Sequence, residues 1–345
     1  MIQIVTKDGK DYLKTCILKI DSEHIEVSKF FNDLEELKNS ISLENNEDYS
    51  KYGGSIVGIL KRFSATYFSP SFMKSYMTNP ANTLFGSFAK EDKNDATAIG
   101  TTVHKILELY YSQDKELRDR NQLNDLLNAC IIPGQDIKKI QSYIDGYKES
   151  KDYLNEGNIL DDKQLDCWCE YRGKTDVYIP KFNLSLPMPL SYVVDRIDLR
   201  GDKLYIIDYK TGYQTIKSAT FDGYLGSMLL YKWVVEQDFG ITVDKGFLST
   251  PGNKEKYIPL DFSLVNESKL VEQVNTFCEM FKADMNSKIL KFTNQGYFNT
   301  GDLKMYRTIM TKDNEPAEFE VEVYIGEHEN STINGEVKEN IDGAI

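Results

Sequence analysis

Residues 191–212 read SYVVDRIDLRGDKLYIIDYKTG. Apolar residues flank a short polar centre, Arg200-Gly201-Asp202-Lys203, which is the pattern of two strands joined by a tight turn. Glycine accepts a positive φ at the first position of a two-residue hairpin loop, so the turn falls at Gly201-Asp202. Arg200 then faces Lys203, Leu199 faces Leu204, and the same register carried along the strands sets Asp195 opposite Asp208. Side chains alternate between faces, so Lys210 shares the face of Asp208 while Asp198 lies on the other.

Two carboxylates opposite each other stand roughly 5 Å apart between Cβ atoms. At that distance each raises the cost of ionising the other. A hard divalent cation between them removes the conflict, and Lys210 is placed to hold or activate a water near it. The plainer reading is a hairpin with one wetted face, on which alternating Asp and Lys are ordinary.

Outward from the hairpin, residues 100–111 (GTTVHKILELYY) carry an apolar stripe of Val103, Ile106, Leu107 and Tyr110 at helical spacing. His104 and Glu108 stand one turn apart on a neighbouring face. His104 is either a surface or capped residue or, if the helix points it at the Asp195/Asp208 face, a further metal ligand. Residues 223–239 repeat the helical pattern through Leu225, Met228, Leu229, Leu230, Trp233 and Val234. Ser69-Pro70 reads as a helix start with proline at the first position, and Pro80 as its end. Helical patterns over 115–160 break at Pro133-Gly134, strands are expected over 165–182 and 243–262, and a helix over 263–288.

The chain has 345 residues, a net charge of −13 and five cysteines. No run of eighteen apolar residues exists and the first residues lack the apolar core of a signal peptide, so a cytoplasmic protein with no membrane association is expected. The cysteines include no C-x2-C pair, which favours buried free thiols over a zinc or iron–sulfur site. The charge is uneven. Nine acids oppose two lysines over residues 21–50, and nine oppose one lysine over residues 315–345, so residues 51–314 are close to neutral. An acidic total therefore does not exclude binding to a phosphate backbone, although it argues against an all-over DNA coat. Four segments are expected: a small β/α addition over 1–60, a core over 61–290, a small β element over 291–325, and an acidic disordered tail over 326–345.

Three blocks in order, G-T-T-V-H-K-I-L-E, V-D-R-I-D…I-I-D-Y-K-T-G and M-L-L-Y-K-W, resemble the RecB-type exonuclease branch of the PD-(D/E)XK nuclease superfamily. The stretch FSPSFMKSYMTNP resembles the lead-in of that branch, and together the blocks cover about residues 64–260. The resemblance implies an α/β fold, a restriction-endonuclease-like core with a central mixed sheet flanked by helices. It implies that Asp195, Asp208 and Lys210 are catalytic, and that His104, Asp195, Asp208 and the backbone carbonyl of Tyr209 hold the metal. Tyr231 matches the tyrosine of the helix that lies near the site and the DNA. Ser227 departs from the glutamine usual in that helix, Tyr192 or Val193 stands where glycine often precedes the aspartate, and Asn79-Pro80 replaces Cys-Pro. With no cysteine triplet after the core, no iron–sulfur cluster is expected.

The reading that follows is a deoxyribonuclease, an exonuclease of recombination, repair or replication, using Mg2+ with Mn2+ as a substitute. DNA is the partner, with Arg196, Lys217 and Lys232 as further phosphate contacts whose strength falls as salt rises. A helicase, single-strand-binding or annealing protein is a candidate partner. The free-standing core suggests a phage or mobile-element protein, acting then in the host cytoplasm. Two alternatives stand beside it: a nuclease-fold DNA-binding or adaptor protein without catalysis, and a metal-dependent phosphoesterase of small nucleotides.

Overall fold

The computed structural model describes residues 3–21, 23–43, 67–86, 95–149, 151, 153, 160, 165–175, 178–179, 184–185, 188–254, 256–291, 306–308 and 318–327. In chain order the first strands are β1 (Gln3–Lys7), β2 (Lys10–Lys19) and β3 (His24–Glu26), followed by α1 (Ser28–Leu43). The helices α2 (Pro70–Thr78), α3 (Pro80–Gly86), α4 (Asp95–Tyr111), α5 (Gln122–Cys130) and α6 (Ile137–Glu149) come next. Then follow β4 (Asp166–Lys174), β5 (Tyr178–Ile179), β6 (Leu184–Ser185), β7 (Ser191–Arg200) and β8 (Lys203–Tyr209). The chain continues through α7 (Gly226–Phe239), β9 (Val243–Ser249), β10 (Tyr257–Leu260), α8 (Glu267–Ser287), β11 (Ile289–Lys291), β12 (Tyr306–Thr308) and β13 (Glu318–Glu327).

Two compact units divide the chain. One comprises Met1–Ser64, Asn79–Lys90 and Ala283–Ile345, the other Ala65–Thr78 and Glu91–Lys282. In the first unit β2 pairs antiparallel with β1 and β3 on one side and with β13 on the other, in a sheet ordered β11-β3-β2-β13-β12. Alternate residues of β2, Leu13 and Ile17 among them, are buried, as period-two patterning requires. Segments read separately at the two ends of the sequence thus build one sheet. Of residues 326–345, read as a disordered acidic tail, Gly326 and Glu327 instead complete β13 by pairing with β2, and residues 328–345 lie outside the described residues.

The second unit holds a five-stranded mixed sheet ordered β10-β9-β8-β7-β4. The hairpin register runs from Arg200↔Lys203 to Arg196↔Ile207, and Gly201 takes the positive φ of 61° that the turn demands. β8 pairs in parallel with β9, and α7 forms the connection between them. As the central strand, β8 is buried almost throughout, which explains its near-continuous apolar run. The helix face of Ile99, Val103, Ile106, Leu107 and Tyr110 packs with α5, α6 and the β8 residues Tyr205, Ile207 and Tyr209 in one core. α7 buries Met228, Leu229, Leu230, Trp233, Val234 and Val235.

Ser69 caps α2, its Oγ accepting from the Phe72 N–H at 3.2 Å. α2 ends at Thr78, and Pro80 opens α3 rather than simply ending a helix, a position where the missing N–H has no intrahelical acceptor to lose. Of the five free cysteines only Cys278 is buried, the other four being half-buried. No helix among the described residues is long and apolar enough to cross a membrane.

Candidate metal centre

The end of the hairpin away from its turn gathers the polar groups. Beyond Arg196↔Ile207 the regular ladder stops, and Asp195 and Asp208 occupy the next positions. Asp195 turns its carboxylate onto the backbone of β8, where Oδ2 accepts from the Tyr209 N–H at 2.7 Å. Burial, and then the charge of Asp208, push the Asp195 carboxyl up to about 8. Asp208 is ion-paired with Lys210. Burial acts against the Lys210 charge, but Asp208 and Asp195 outweigh it and hold its ammonium above the usual value. The backbone of Lys210 is fixed by its N–H donating to the Ser249 carbonyl at 2.8 Å.

α4 brings His104 to the same place. Its Nε2 lies 3.2 Å from the Tyr209 carbonyl oxygen and its Nδ1 lies 3.9 Å from Asp195 Oδ2. Burial, and then the positive charge of Lys210, hold the imidazole below its ordinary pKa. A neutral ring that donates from Nε2 to the carbonyl leaves the Nδ1 lone pair toward Asp195. Both backbone groups of Tyr209 therefore touch this centre, the N–H through Asp195 and the carbonyl through His104. The carbonyl oxygen keeps a second lone pair.

Glu170 is absent from the residues expected from the sequence. β4 pairs with β7 through Cys169↔Arg196 and Tyr171↔Val194, which puts Glu170 on the row of Asp195. There the backbone takes a positive φ of 49°, uncommon for a residue other than glycine. His104, Glu170 and Asp195 each offer a ligand atom, all within 4.8 Å of one another. Burial, and then the charge of Glu108, raise the Glu170 carboxyl. Across β4, β7 and β8 three acids thus stand side by side. Two carboxylates, an imidazole and a carbonyl form a donor set suited to a divalent cation, and the mutual repulsion of the acids is what such a cation relieves. Asp208, held by Lys210, lies outside the tight triad but adjoins it.

The only hint of Glu170 in the sequence is a carboxylate among large or apolar neighbours, Cys167-Trp168-Cys169-Glu170-Tyr171. Its partner on β7 follows from no short turn, because residues 175–190 separate the strands.

Tyr231, on α7, is half-buried, and its phenol is raised by burial and then by the charges of Asp208 and Asp195. Lys217 is exposed on a short turn after β8. Two expected phosphate contacts are corrected. Arg196 is fully buried and paired with Asp198, Nε to Oδ1 at 2.9 Å. Its place on the face opposite Asp195 turns it inward. Lys232 is only 16% exposed and is committed to the buried Glu236.

Beneath the centre, Arg196 also donates to the Tyr209 hydroxyl at 3.1 Å and lies 4.3 Å from the Tyr111 ring centroid. Tyr153 donates to Asp198 Oδ2 at 2.9 Å. Tyr209 is therefore held from behind by the network and presents its backbone to the front.

The sequence model of the PD-(D/E)XK nuclease superfamily matches residues 67–299. No curated protein matches the chain. Among solved structures, a candidate exonuclease from Eubacterium rectale is similar at 13% identity with a TM-score of 0.42, over 68% of this chain and 86% of that one.

Proposed function

We propose that this chain, which belongs to the PD-(D/E)XK nuclease superfamily, is a Mg2+-dependent deoxyribonuclease of the RecB-type branch. It acts as an exonuclease in DNA recombination, repair or replication, and Mn2+ substitutes for Mg2+. The observation that carries the reading is the clustering of His104, Glu170 and Asp195 within 4.8 Å beside the Asp208–Lys210 pair. Nucleases of this superfamily use divalent metals, and the oxygen-rich donors here fit Mg2+.

His104, Asp195, Asp208 and the Tyr209 carbonyl would hold the cation, with Glu170, clustered with His104 and Asp195, as a further carboxylate donor. When bound, the cation neutralises charge on the phosphate and lowers the pKa of a coordinated water. The roles of the side chains follow from their protonation. Lys210 stays an ammonium at neutral pH, so it orients the attacking water and stabilises developing negative charge rather than removing a proton. The water oxygen bonds to phosphorus and releases a proton to solvent as the bond between phosphorus and the leaving sugar oxygen breaks, and the leaving oxygen takes up a proton from solvent. Tyr231 lines the centre from α7, and Lys217 contacts the phosphate backbone.

The test is digestion of end-labelled linear, circular and single-stranded DNA with Mg2+ by the wild type and Asp208→Ala. The wild type is expected to degrade linear DNA from its ends and to lose that activity with EDTA, while Asp208→Ala is inactive. Equal degradation by both proteins, or none by either, removes the assigned centre. Cleavage that survives EDTA rejects the carboxylate mechanism.

A further inference from the structure

Between Lys210 and Tyr224 the residues Gly212, Tyr213, Thr215, Ile216, Lys217 and Thr220 are exposed, and yet the backbone there is tightly built. The Gln214 N–H donates to Asn253 Oδ1 at 3.3 Å, and its carbonyl accepts from Asn253 Nδ2 at 2.6 Å. Thr215 and Ser218 close a capping box on the turn Ile216–Ala219. At Gly223 a Cβ would stand 2.3 Å from the Ser218 carbonyl oxygen, so the chain folds back on itself in a way only glycine permits. Both ends of the segment border the candidate centre. Lys210 begins it, and at the other end the Tyr224 ring centroid lies 4.7 Å from Lys210 Nζ. Lys74 donates to the Gly223 carbonyl at 2.8 Å.

This backbone holds out Tyr213 and Ile216, which are 81% and 84% exposed, next to the exposed Lys217. Single exposed apolar side chains are ordinary on a protein surface. Here the hydrogen bonds and the glycine contact hold the loop without these two side chains, so their apolar surface is left open to a partner. Although the chain carries a net charge of −13, no acid occurs from residue 209 to residue 221. Asp208 and Asp222 bound this run, and within it an anionic partner meets no carboxylate of the segment. An aromatic ring and a branched aliphatic side chain beside a lysine suit stacked bases and a phosphate together.

We propose that Tyr213, Ile216 and Lys217 form a docking platform for an unpaired DNA strand on its way to the metal centre. A base stacks on the Tyr213 ring, Ile216 packs against the apolar face of a base, and a backbone phosphate meets Lys217. The proposal rests on the nuclease reading above.

The experiment is fluorescence anisotropy of the full chain in EDTA, with a labelled single-stranded oligonucleotide and a blunt duplex of the same length. Tyr213→Ala/Ile216→Ser is expected to weaken single-strand binding by about tenfold or more, with duplex affinity, circular dichroism and melting unchanged. Tyr213→Trp is expected to keep the affinity and to show indole quenching as single-stranded DNA is added. Wild-type affinity in the double variant overturns the platform, as does an equal loss for both forms of DNA. So does a change of mass by light scattering in the double variant, since the surface then joins copies of the chain. If the wild type binds neither DNA, the platform fails, whereas the nuclease reading stands or falls by the digestion described above.

Discussion

At about 8, the Asp195 carboxyl keeps its proton at neutral pH when no cation is present. A cation must displace that proton, so its apparent affinity is expected to fall by about tenfold per pH unit below this value and to level off above it. Isothermal titration with Mn2+ from roughly pH 6 to 9 measures this directly, and a flat profile would exclude Asp195 as a ligand. The same shift has a consequence for stability. Without metal, the folded state holds a proton that the unfolded chain releases at the ordinary carboxylate value of 3.8, so stability declines as pH rises from there toward 8. Glu170 gives a second residue-level prediction. Glu170→Gln keeps the shape but removes the charge, and is expected to weaken Mn2+ binding by about tenfold or more, read by the free-Mn2+ resonance signal. Unchanged affinity would mean that Glu170 only lines the centre.

Elements carry the centre through the hairpin and the strand beside it. One face of β7 supplies Asp195, and the other buries Arg196 and Asp198, each fully enclosed. Arg196→Met leaves the buried Asp198 without its arginine, with the Tyr153 hydroxyl still on it, and is expected to destabilise the fold by about 3–5 kcal/mol, most of which Arg196→Met/Asp198→Leu restores. Urea unfolding of both variants checks this, and equal stability of the two would show that the pair is not the unit. The Asp195/Asp208 row was legible in the sequence because a two-residue turn sets the register of everything that follows it. The row joining Glu170 to Asp195 was not legible, because no turn ties β4 to β7. Alternation put Arg196 on the face opposite Asp195, but only packing showed that this face is closed to solvent.

For the molecule as a whole, the sheet of the first unit depends on both ends of the chain. β13 pairs along β2 from Glu318↔Leu18 to Glu327↔Lys10. Deleting residues 318–345 unpairs that edge, and an open strand edge invites pairing with other copies. The truncated protein is expected to aggregate, with earlier proteolysis within residues 3–43, as light scattering and limited proteolysis would show. A monodisperse, protease-resistant product would show that β2 does not need its partner. Local order explains what the sequence alone determined: the hairpin and its turn, the Asp195–Asp208–Lys210 arrangement, the His104 helix, and the alternation of helices and strands around them. Periodicity and turn chemistry act over a few residues and are written in the chain directly. The tertiary structure alone decided the entry of Glu170 beside His104 and Asp195, the enclosure of Arg196 and Lys232, and the joining of terminal strands into one sheet. Each depends on contacts between residues far apart in the chain, whose register is chosen by packing rather than by any neighbouring turn.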